Sequence, residues 1–138
     1  MKVVLDTNSL IVSIGRKSKY RPIFDAFLTG KIQLLITNEI VSEYVEILEE
    51  RTNTTVADNI ANLLLRSPDT LKVQDYFKWA LINNDADDNK FVDRALNGQA
   101  DYLVTDDKHF NMLKGLGFPP INVIKTADFL ELINPILE

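Results

Sequence analysis

The chain contains no cysteine, which excludes disulfides and thiolate-bound zinc and fits a reducing cytosol. Long apolar runs are missing too. Near the start, Val3-Val4-Leu5 is closed at once by Asp6. That run is too short for the apolar part of a signal peptide, and no stretch approaches the ~20 residues a membrane-spanning helix needs. The expectation is a cytoplasmic protein that does not meet a membrane. Internal repeats, low-complexity tracts and linkers rich in Gly, Pro or Ser are absent as well. The simplest organisation is therefore one domain over residues 1–138, long enough to bury a proper core. An excess of positive charge is also lacking. The formal net charge is −5, which ordinarily argues against a polyanionic partner.

What is present is an ordinary globular composition, 46% hydrophobic and 25% charged, with strand and helix patterns in alternation. Short apolar runs at 3–5, 32–36, 102–104 and 122–124 read as strands buried on both faces. Helices are expected over 7–14, 22–28 (Pro22 near its first turn, Gly30 past its end), from Thr37 as cap to about Glu50, and over 56–65 before Pro68. Asp88 is placed to cap a helix over 89–97 with Gly98 as its C′ residue. Thr126 is placed to cap another over 127–133, ended by Pro135. Residues 71–84 remain open between strand and helix. This alternation predicts an α/β fold, a three-layer α/β/α arrangement around a mainly parallel twisted sheet of four to five strands.

Within that pattern four acids stand out: Asp6, Glu43, Asp88 and Asp107. Each falls where a strand gives way to a helix, or within that helix. In a parallel sheet the carboxyl ends of the strands share one edge, and ligands usually bind there. Carboxylates gathered at ~5 Å repel by about 3 kcal/mol per pair at an effective dielectric of about 20. Protonation or a bound cation relieves such a cluster, so the pattern points to a divalent-metal site. The quartet also contributes −4 of the net charge of −5, so the balance says little against an anionic substrate.

Taken singly, the four differ in weight. At 100° per residue, Phe91, Val92, Ala95 and Leu96 centre near the direction of Asp88, whereas Lys90, Asp93 and Arg94 point elsewhere. An inward carboxylate needs a partner or a metal, although an N-cap role accounts for an Asp equally well. Asp6 ends a buried strand, where an Asp also starts turns. Either Asp106 or Asp107 could be the inward acid after Thr105. Glu43 flanks the apolar stripe of its helix, and periodicity does not choose between it and Glu39.

The motifs in order resemble those of the PIN-domain nucleases: Val3-Val4-Leu5-Asp6-Thr7-Asn8, Asn38-Glu39-Ile40-Val41-Ser42-Glu43-Tyr44, Asp85-Ala86-Asp87-Asp88-Asn89-Lys90-Phe91, and Ala100-Asp101-Tyr102-Leu103-Val104-Thr105-Asp106-Asp107. They span nearly the whole chain. The similarity is greatest to single-domain PIN proteins regarded as toxin components of toxin–antitoxin pairs. The resemblance implies Mg²⁺- or Mn²⁺-dependent cleavage of single-stranded RNA, with Asp6, Glu43, Asp88 and Asp107 as catalytic, metal-binding acids and Asn8 and Thr105 in support. It selects Glu43 over Glu39. One departure is Asp106, where relatives of this type often carry Gly.

Partners implied are an RNA substrate, an antitoxin protein and a second copy of the chain. Arg16, Lys17, Lys19 and Arg21, with Tyr20 among them, form a basic stretch suited to phosphates and a stacked base, or simply a solvated loop. Phe77, Trp79, Leu81 and Ile82 suit core packing first and an interaction surface second. His109 suits a helix surface, or a general acid. Two other classes compete: a phosphotransfer enzyme, whose Asp-x-Asp is not met because Asn8 follows Thr7, and a non-catalytic RNA- or protein-binding module on the same fold.

Overall fold

The computed structural model describes residues 1–72, 74, 77–82, 86–117 and 119–137. Among the described residues, five strands form one sheet: β1 (Lys2–Leu5), β2 (Gln33–Ile36), β3 (Thr70–Lys72), β4 (Tyr102–Val104) and β5 (Val123–Ile124). Their order is β3-β2-β1-β4-β5, and every neighbouring pair is parallel. Six α-helices flank the sheet and complete the three-layer α/β/α fold: α1 (Thr7–Ile14), α2 (Arg21–Leu28), α3 (Asn38–Arg51), α4 (Thr54–Arg66), α5 (Ala86–Asn97) and α6 (Thr126–Ile133). Among the described residues no helix is long and apolar enough to cross a membrane.

Burial explains the short apolar runs. Val3, Val4 and Leu5 are consecutive and all buried, as are Leu34, Leu35 and Ile36. Neither strand alternates, because helices cover both faces of the sheet. The register Val3↔Tyr102, Val4↔Leu103 and Leu5↔Val104 sets the ends of β1 and β4 side by side. The chain leaves β1 toward β2 and β3, then returns to β1's other side as β4. In parallel α/β sheets such a reversal is where ligands bind, here outside the carboxyl ends of β1 and β4.

Several local expectations change. Helix α5 starts at Ala86, so Asp88 lies inside the first turn and is not the cap. There its charge still favours the helix dipole. Asp85 of the third motif, and residues 73, 75, 76, 83 and 84 of the open segment, lie outside the described residues. At the other end of α5, Gln99 and not Gly98 takes the left-handed backbone, with φ 53°. The bonds Gln99 N–H to Leu96 O (3.2 Å) and Ala100 N–H to Ala95 O (2.8 Å) make this a Schellman end. Gly98 is required for a different reason: a Cβ there would meet Leu35 Cδ1 at 2.7 Å and the Arg94 carbonyl at 2.9 Å.

Helix α5 is also covered on more faces than a single apolar stripe predicts. Asp93 and Arg94, expected to point away, are both buried. Asp93 accepts the Trp79 N–H at 2.9 Å, and burial pushes its carboxyl pKa up. Thr126 likewise is the first residue of α6, not its cap. Its N–H and its hydroxyl both donate to Asp106, each at 2.9 Å. The apolar set Phe77, Trp79, Leu81 and Ile82 divides. Ile82 joins the core, Leu81 packs against it, and Phe77 lies 59% exposed beside Trp79.

Candidate active site

Asp6 follows β1 and is buried at the carboxyl edge of the sheet. Its backbone N–H continues the ladder to Val104 O at 3.0 Å, which fixes it against the end of β4. One carboxylate oxygen accepts the Thr7 N–H at 2.8 Å, capping α1. The other accepts the Thr105 hydroxyl at 2.7 Å. That same hydroxyl oxygen accepts the Asp107 N–H at 3.0 Å, so Thr105 ties Asp6 to Asp107. Burial raises the Asp6 pKa above the usual carboxylate value. The bonds from Thr105 and Thr7 oppose that rise, and the charges of Asp107 and Glu43 add to it.

Glu43 reaches the same region from α3. Its two oxygens are held separately, one by the Thr7 hydroxyl and the other by Lys90 Nζ at 2.7 Å. Lys90, on α5, was expected to face away. It is only 10% exposed and sits 3.6 Å from Asp87 as well. The neighbouring Tyr44 is fully inside and donates its hydroxyl to the Leu5 carbonyl, bracing α3 against β1 beside Asp6. Burial first, and then the charges of Asp6 and Glu43, hold its phenol pKa well above normal. The contact with Thr7 distinguishes Glu43 from Glu39, which is exposed and lines an adjoining recess with Thr37, Lys78, Lys90 and Asp93.

Asp88 and Asp107 meet across a third residue. His109 Nδ1 lies 3.1 Å from an Asp88 oxygen and 3.5 Å from an Asp107 oxygen. One ligand atom from each of the three lies within 4.8 Å of the other two. Asp107 caps the 3-10 turn Lys108–Leu113 by accepting the His109 N–H at 2.9 Å. The Asp106–Asp107 ambiguity is resolved physically: Asp107 turns to the acidic centre, while Asp106 holds the start of α6. Oxygen donors with one imidazole suit a hard or borderline divalent ion such as Mg²⁺ or Mn²⁺, so the donor set fits the expected metal.

The structure therefore brings the quartet to one edge in two linked parts. Asp6, Thr105 and Asp107 continue into Asp88 and His109, while Thr7, Glu43 and Lys90 close the α3 side. Asn8 is exposed next to the buried Thr7. Sequence reasoning missed Thr7, which the first motif already contained. It also missed Lys90, whose signal was a lone cation set between acids. In the basic stretch, Arg16, Lys17 and Lys19 are exposed. Arg21 instead bonds the Ile14 carbonyl at 2.6 Å and Asp25 at 2.9 Å, joining α1 to α2.

Fold and site together define a parallel three-layer α/β/α protein with an acidic centre at its topological switch point. A family model described as the PIN domain matches residues 2–109, and the chain belongs to that family of nucleases. Among solved structures, it is similar to VapBC2 from Rickettsia felis bound to a DNA fragment from their promoter, with a TM-score of 0.62 and 14% identity. That similarity covers 91% of this chain and 98% of the other, and at such identity it speaks for the fold. No match is found among curated proteins.

Proposed function

We propose that the chain is a Mg²⁺- or Mn²⁺-dependent endoribonuclease that hydrolyses phosphodiester bonds of single-stranded RNA. The observation that carries this reading is that ligand atoms of Asp88, Asp107 and His109 lie within 4.8 Å of one another, with Asp6 tied to Asp107 through Thr105. Asp88 and Asp107 would hold the ion, and Asp6 would complete its inner side. When bound, a divalent ion lowers the pKa of a water and takes up charge on phosphate and leaving oxygens. Thr105 fixes the Asp6 carboxylate relative to the Asp107 backbone, from which the second carboxylate projects. Glu43, clasped by Thr7 and Lys90, is a fixed acceptor suited to orienting the attacking water. Lys90 balances one negative charge where the acids crowd.

The role of toxin partnered by an antitoxin is part of the same proposal. Its support is the family membership and a fold shared with a chain of the VapBC2 structure. A second copy of the chain and a cytoplasmic location belong to it as well, as does organisation of residues 1–138 as one domain.

The direct test uses purified protein and labelled single-stranded RNA, with Mg²⁺ or Mn²⁺ and with a chelator. Metal-dependent cuts are expected, and Asp88→Asn should slow them by about 100-fold or more. Melting is followed in parallel, because an ion that binds only the native state must raise stability. Cleavage at the parent rate by Asp88→Asn would remove the assigned site. No melting shift at saturating metal, with no cleavage, would favour the non-catalytic module.

Exposed Arg16, Lys17 and Lys19 are proposed to contact RNA phosphates. Reversing Arg16 and Lys17 to Glu should weaken RNA binding and flatten the slope of log K against log salt by at least about 1. Filter binding across a salt series reads this, and an unchanged slope would return the stretch to a solvated loop.

A further inference from the structure

We propose that His109 is a nitrogen donor to the ion held by Asp88 and Asp107, and that it biases the centre toward Mn²⁺ over Mg²⁺. The inference rests on the metal-dependent reading above and goes beyond it by naming a ligand and a metal preference. Around an octahedral ion with bonds of 2.0–2.1 Å, adjacent donors lie about 3 Å apart and opposite donors about 4.2 Å. His109 Nδ1 lies 3.1 Å from Asp88 Oδ2 and 3.5 Å from Asp107 Oδ1. Both separations are close to that of adjacent corners of one coordination sphere.

The chain builds this placement locally. Asp107 caps the turn through the His109 N–H, which sets the imidazole two residues on and against its own capping acid. Phe110, the next residue, is fully buried and anchors the turn. The ring itself is 66% exposed, so bringing an ion to it displaces water without opening the core. Mg²⁺ favours oxygen and keeps its waters. An imidazole raises affinity for transition ions relative to Mg²⁺, and Mn²⁺ is one of these that also accepts carboxylates and water.

The same distances would also arise if His109 merely hydrogen-bonded the acids and held them in place. The two roles separate experimentally. His109 is the chain's one histidine, so any imidazole signal on bound Mn²⁺ is assignable to it. The full chain loaded with Mn²⁺ should show ¹⁴N modulation by pulsed electron paramagnetic resonance, absent in His109→Ala. By titration calorimetry, His109→Ala should weaken Mn²⁺ about tenfold or more while Mg²⁺ changes less than about twofold. Bound Mn²⁺ without ¹⁴N modulation, or equal losses for both ions, would overturn the proposal. In that case ions lost in Asp88→Asn would leave the nuclease reading intact. A parent chain that binds neither ion would remove both.

Discussion

Asp6→Asn should lose metal-dependent cleavage by about 100-fold or more and yet melt at a higher temperature than the parent at pH 7 in chelator. The two effects have one cause. Asp6 is buried at an edge shared with other acids, and burial is the largest influence raising its pKa, reinforced by Asp107 and Glu43. A carboxyl whose folded pKa is raised contributes stability that is fully present below its unfolded value, near 3.8. That contribution is lost as pH rises through the folded value. At neutral pH the ionised Asp6 therefore costs stability. Asparagine removes the charge while its carbonyl still accepts the Thr7 N–H. Its amide donates to the Thr105 hydroxyl, reversing the present bond. The measurement is Tm against pH from about 4 to 7, where the parent should fall relative to the variant. A variant that melts lower at pH 7, or whose curve runs parallel to the parent's, would show that Asp6 is not held at a cost. A stable, inactive variant is the expected signature of a site that trades stability for chemistry.

How much of this was legible depends on the type of signal. The strands could be read because both faces are covered, so Val3–Leu5 and the end of β2 show as unbroken apolar runs. The edge acids followed from them, since a charge closing a buried strand has few places to go. Choosing among neighbouring acids could not be read, because the choice is made by residues far apart in sequence. Thr7 and Lys90 select Glu43 over Glu39 from two other helices, and Thr126 takes up Asp106. Helix arithmetic failed at α5 for a related reason. It assumes one apolar stripe, whereas Asp93, Arg94 and Lys90 are enclosed and satisfied by partners outside the helix. His109 was visible as a lone histidine, but its approach to Asp88 required the fold.

Arg94→Ala should be strongly destabilising through hydrogen bonds rather than through lost core volume. The guanidinium is buried and donates to the Ile36 carbonyl at 3.1 Å and the Leu71 carbonyl at 3.3 Å. It thus clamps β2 to the three-residue edge strand β3, whose own pairing is short (Leu34↔Thr70, Leu35↔Leu71, Ile36↔Lys72). Gly98 leaves the room this requires, because a Cβ there would come within 2.7 Å of an Arg94 nitrogen. Truncation removes a donor from the buried Ile36 carbonyl and from the half-buried Leu71 carbonyl. At about 1–3 kcal/mol for a buried group left unsatisfied, and about 1 kcal/mol for the half-buried one that water can reach, a loss of about 2–4 kcal/mol is expected. Arg94→Lys should recover little of this, since an ammonium lacks the planar fork that spans two acceptors. Urea unfolding reads the total, and amide exchange should show β3 losing protection before β1 and β4. The consequence reaches the site because β2 leads through Thr37 into α3 and Glu43. A change below about 0.5 kcal/mol, with β3 protection intact, would mean that the sheet edge holds without the clamp.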